Sequence, residues 1–85
     1  MKYYIAEITE RNGDFEYDTK YLFATYCEPD EYSNNVAMEW RGGDEDDWDE
    51  VLNGYWCDGS IICDRGSKEI PKEDFEVLKK YLSIL

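Results

Sequence analysis

The side chains able to do chemistry in this sequence are nearly all carboxylates, and the densest group is Asp44, Glu45, Asp46, Asp47, Asp49 and Glu50 around Trp48. Oxygen ligands in that number could hold a hard cation such as calcium. An EF-hand loop starting at Asp44, however, needs Asp or Asn where Trp48 stands and Gly where Asp49 stands, and one starting at Asp47 meets Val51 at its fifth position. No metal site is assigned, and a solvated charged loop is the expectation for the run. Two carboxylates could also act as acid and base, as in glycosidases. With 21 Asp and Glu residues some pair always lies at a usable separation, and nothing singles one out.

Residue type excludes most other chemistry. Histidine is absent, which removes the commonest general base, the Ser-His and Cys-His nucleophile pairs and the commonest transition-metal ligand. Cys27, Cys57 and Cys63 have neither CxxC nor zinc spacing and read as small buried hydrophobes. Gly42-Gly43 precedes acidic residues and lacks a phosphate-loop pattern, so it reads as a helix C-cap. The expectation is a protein that is not an enzyme and needs no cofactor.

Charge distribution is more informative. The formal net charge is -12, and residues 28–58 hold eleven acidic residues against one basic residue, Arg41, while the rest of the chain is nearly balanced. Clustered carboxylates repel one another and must be offset by the rest of the fold. The excess negative charge argues against direct binding of nucleic acid or an anionic membrane face and leaves a cationic partner open. At 85 residues, 42% of them hydrophobic, the chain should fold as one small domain over residues 1–85.

The elements that position these residues follow from periodicity. Tyr3 to Thr9 alternates as a strand, and Phe15 to Tyr26 places aromatics at odd positions and charges between them. Asn12-Gly13 supplies a type I′ hairpin turn between them. Pro29 opens a helix over residues 29–41 with Tyr32, Val36 and Trp40 on its buried face, which leaves Asp30, Glu31 and Glu39 outside. One helical turn is expected near Trp48 to Leu52. Tyr55-Trp56-Cys57 and Ser60 to Cys63 flank Asp58-Gly59 as a second hairpin, and Arg65-Gly66-Ser67 turns the chain. Pro71 opens a last helix whose stripe is Phe75, Leu78, Leu82 and Leu85, with Glu76 spaced to pair with Lys80. The expected fold class is α+β, an antiparallel sheet of two β-hairpins with two helices in the order ββαββα.

The start of the chain reaches Glu7 after a few apolar residues, short of the roughly 7–15 of a signal-peptide core. No run approaches the roughly 20 apolar residues of a membrane span. A cytoplasmic protein with reduced thiols is expected.

The expected function is non-enzymatic binding. Asp30, Glu31, Glu39 and the 44–50 segment dock on a basic, nucleic-acid-binding protein surface, with carboxylates standing in for backbone phosphates. Trp48 is read as an anchor tucked onto the domain, with an exposed contact as the alternative. Trp40, Trp48, Tyr55 and Trp56 supply apolar anchoring. Small size, acidity and the lack of catalytic groups are shared with nucleic-acid-mimicking inhibitors of the anti-restriction or anti-CRISPR kind, an analogy of class with no common sequence signature. The alternative is a small accessory protein, a homodimer along a sheet edge, whose acidity serves solubility.

Overall fold

Backbone pairing over residues 1–85, described by a computed structural model, builds one antiparallel five-stranded sheet. Strands β1 (Lys2–Asn12) and β2 (Phe15–Thr25) form the first hairpin, and helix α1 (Pro29–Glu39) follows. A 3-10 turn (Glu45–Asp47) leads into β3 (Trp48–Asp49), then β4 (Gly54–Cys57), β5 (Ser60–Ile70) and α2 (Lys72–Leu78). The spatial order is β2-β1-β5-β4-β3. The fold is α+β, but its sequence is ββαβββα, because the acidic run contributes the two-residue β3 ahead of the second hairpin.

Two of the three turns differ from expectation for local reasons. The first hairpin pairs Asn12 with Phe15, so its loop is Gly13-Asp14, with positive φ at Gly13 alone. That is the pattern of a turn with glycine first, in place of the type I′ turn expected at Asn12-Gly13. Asp58 and Gly59 both have positive φ, as the second hairpin requires. Arg65-Gly66-Ser67 does not turn the chain: β5 runs on to Ile70, and the register against β1 shifts between Ala6 and Ile8. A β-bulge absorbs the extra residue there, with Gly66 at φ 91°.

Each face of the sheet has its own cover. Tyr4, Ala6 and Ile8 of β1, Tyr21 and Phe23 of β2, Tyr55 and Ile62 share a face and pack with Ala37 of α1 into the main core. Tyr32, Val36, Met38 and Trp40 close over it. On the opposite face Tyr3 meets the buried Phe75 of α2 at 4.9 Å between ring centroids. Farther along, that face is polar: Arg65 donates to the Thr9 hydroxyl, which donates to Asp18.

Helix α2 is shorter than its apolar stripe predicts. It ends at Leu78, and the chain turns to lay Ser83–Leu85 along the outer edge of β2, where the Leu22 N–H donates to the Ser83 carbonyl and the Leu85 N–H donates to the Leu22 carbonyl. Two otherwise unpaired edge groups of a buried residue outcompete further helical turns. Glu76 pairs with Lys79, not Lys80, and that hydrogen bond holds its carboxyl below the usual carboxylate range. No helix is long and apolar enough to cross a membrane.

Candidate functional site

The acidic run folds by using its own carboxylates as caps. The Asp44 side chain accepts from the Asp46 N–H, and the Asp47 carboxylate accepts from the Asp44 N–H, closing a reciprocal capping box. Asp49 accepts from the N–H groups of Val51 and Leu52. Three like charges that would repel one another are thus each held by backbone donors. The helical turn lies before Trp48, not after it, because these caps act on the Glu45–Asp47 turn. Glu45, Asp46 and Glu50 are exposed with no side-chain hydrogen bond to the protein. No group of three or more Asp, Glu or Cys residues is arranged to hold a metal ion.

Gly43 lets this run lie against the end of α1. A Cβ there would stand 2.9 Å from the Met38 carbonyl oxygen and 2.6 Å from an Asp47 carboxylate oxygen, closer than side-chain carbons approach. The half-buried Cys57 thiol sits beside the loop and donates to the Arg41 carbonyl. Burial, then the carboxylates of Asp47, Asp58 and Asp44, push that thiol above its usual range, against a smaller opposing effect of Arg41.

Trp48 is both anchor and surface. Its ring meets Tyr55 edge-on at 5.0 Å, yet 40% of the residue remains exposed among the carboxylates, next to the exposed Val51 and Leu52. Tyr55, expected to contribute to the contact, is buried in the core with its hydroxyl donating to Asn34. Trp56 is exposed but points to the opposite face of β4 from Tyr55, so it cannot join Trp48 in one contact.

Asp30, Glu31 and Glu39 are all exposed on α1, the first two at its start and Glu39 at its end, about 13 Å apart along the axis. The 44–50 loop flanks α1 on the β4–β3 side. Glu39 lies on the β2 side, at the rim of a groove with Tyr32, Val36 and Trp40.

The residue that sequence reasoning missed is Glu10. It is 8% exposed, and its carboxylate accepts from the Trp40 indole N–H and from Nε and Nη2 of Arg41. The only cation of the acidic segment is therefore paired with a buried carboxylate of the sheet, while its side chain stays half exposed. A signal existed: Glu10 falls on the apolar even face of β1 with Tyr4, Ala6 and Ile8, where a carboxylate needs a partner. Other cations gather on the far face, where Lys20, Arg65 and Lys68 line a hollow of about 260 Å³ beside Glu7.

Comparison of the chain with protein-family models, with curated proteins and with solved structures found no match.

Proposed function

We propose that this is a non-enzymatic binding protein that docks its acidic loop and α1 on a basic, nucleic-acid-binding protein surface, as a nucleic-acid-mimicking inhibitor would. The observation that carries the reading is the charge of the 28–58 segment: it holds eleven acidic residues and one cation, Arg41, whose guanidinium is paired with the carboxylate of Glu10 from the sheet. That pairing leaves the carboxylates of the loop and of α1 without a cation of their own, which suits a face that docks on cations. The capped loop supports the same reading. It holds Glu45, Asp46 and Glu50 on an ordered turn, which lowers the ordering cost of binding, and Trp48 supplies apolar area between them.

Capture on the immobilised full chain, followed by salt and nucleic-acid challenge, tests it. The expected partners are basic nucleic-acid-binding proteins that leave as salt rises to several times physiological and are displaced by saturating DNA or RNA. Competition for one site must be mutual, so the protein should weaken the partner's own nucleic-acid binding. Capture indifferent to both salt and nucleic acid overturns the reading.

A further inference from the structure

The groove on the β2 side of α1 measures about 670 Å³ and is lined by Tyr32, Asn35, Val36, Glu39, Trp40 and Leu85. We propose that it receives an arginine side chain of the partner, an inference that rests on the reading of that partner as basic. The lining combines two aromatic rings with one carboxylate and no cation. A guanidinium suits it, since its plane stacks on aromatic faces while its N–H fork pairs with a carboxylate.

Charge selects this occupant over an acidic or neutral one. Helix α1 carries Asp30, Glu31 and Glu39 and neither Lys nor Arg. The Trp40 N–H is already committed to Glu10, so Glu39 and the Asn35 amide are the side-chain polar groups left to meet a ligand alongside the rings. The rings are also held in place. Tyr32 stacks on Phe23 at 4.3 Å with planes 7° apart, and its hydroxyl donates to the Leu85 carbonyl. Trp40 is fixed at its N–H edge by Glu10, which Arg41 grips in turn. A buried carboxylate is a costly way to secure packing alone, and here it orients a ring at the wall of an open groove. Glu10 is thus a positioning residue for Trp40.

Nuclear magnetic resonance of the full chain, titrated at low salt with an end-blocked hexa-arginine peptide, tests the proposal. The Trp40 indole N–H and the Val36 methyl signals should shift saturably, and a hexacitrulline peptide of the same shape but no charge should leave them in place. Glu39→Gln should weaken the groove response about tenfold, the loss of one charge-assisted pair. Asn35→Arg, at an exposed position, places a competing cation at the groove and should abolish the Trp40 and Val36 shifts while the rest of the spectrum keeps its dispersion. Shifts confined to the amides of residues 44–50 would overturn the groove and leave the acidic-surface reading standing. Equal response to citrulline would overturn the selection by charge, and no response to hexa-arginine anywhere would overturn both.

Discussion

The indole N–H of Trp40 donates to the buried carboxylate of Glu10, thirty residues away in the chain, and ties the end of α1 to the middle of the sheet. Arg41 completes the contact from the next position. Glu10→Ala leaves the Trp40 donor and the Arg41 guanidinium without their partner and should cost about 2 kcal/mol, discounted because Arg41 is half exposed. Pairing Glu10→Gln with Trp40→Phe in a double-mutant cycle should give a coupling of about 0.5–2 kcal/mol. Additive unfolding free energies would show that the two residues do not support each other.

Charge reversal must respect which carboxylates build the loop. Lysines at Glu45, Asp46 and Glu50 together should leave the melting temperature nearly unchanged, at about 0.5 kcal/mol or less per site, while abolishing partner capture. Asp44→Ala or Asp47→Ala instead removes half of the capping box and should cost about 0.5–2 kcal/mol. Near-ultraviolet circular dichroism, sensitive to Trp48 at the end of that turn, should change with the second pair and not with the first set.

Cys57 reports the potential of the acidic loop. Its thiol is raised by burial and by Asp47, Asp58 and Asp44, so at a given pH it holds less thiolate than an ordinary cysteine. In a variant with Cys27 and Cys63 replaced, alkylation of Cys57 should have a pH midpoint above that of a free thiol. Added salt, or Asp47→Asn, should move the midpoint down as the carboxylates are screened or removed. A midpoint insensitive to both would leave burial as the sole cause.

Local patterns carried much of this fold into view. Alternating aromatics, Pro29 and Asp58-Gly59 act within a few residues, and the two long hairpin strands and α1 follow from them. The bulge at Gly66 was hidden because Arg-Gly-Ser reads alike in a turn and in a kinked strand, and only the partner strand β1 decides between them. The early end of α2 depends on the β2 edge at Leu22, about 60 residues away. Within the site, the clustering of charge was legible but its division between two flanks of α1 was not, since that depends on where the helix crosses the sheet. The Asp44 to Asp47 spacing is that of a capping box, masked in the sequence by the like charges on either side of it.

Two core tyrosines should respond in opposite directions to loss of their hydroxyls. Tyr21 is fully buried, and its hydroxyl has no hydrogen-bond partner in the protein. Burial, with the nearby Asp64 and Tyr32 adding to it, pushes its ionisation far above the usual range, so the neutral hydroxyl is favoured. A buried donor without a partner has lost its hydration and gained nothing in return. Tyr21→Phe keeps the ring that packs on Phe23 and Trp40 and should stabilise the fold by about 1 kcal/mol. Tyr55 has Asn34 as acceptor at 2.9 Å, and Tyr55→Phe should destabilise by about 1 kcal/mol, since both the bond and the satisfaction of the Asn34 oxygen are lost. Urea unfolding of the two variants against the parent chain measures both signs. Destabilisation by Tyr21→Phe equal to that of Tyr55→Phe would mean that the Tyr21 hydroxyl is satisfied in solution, with a water bound under α1 as the acceptor.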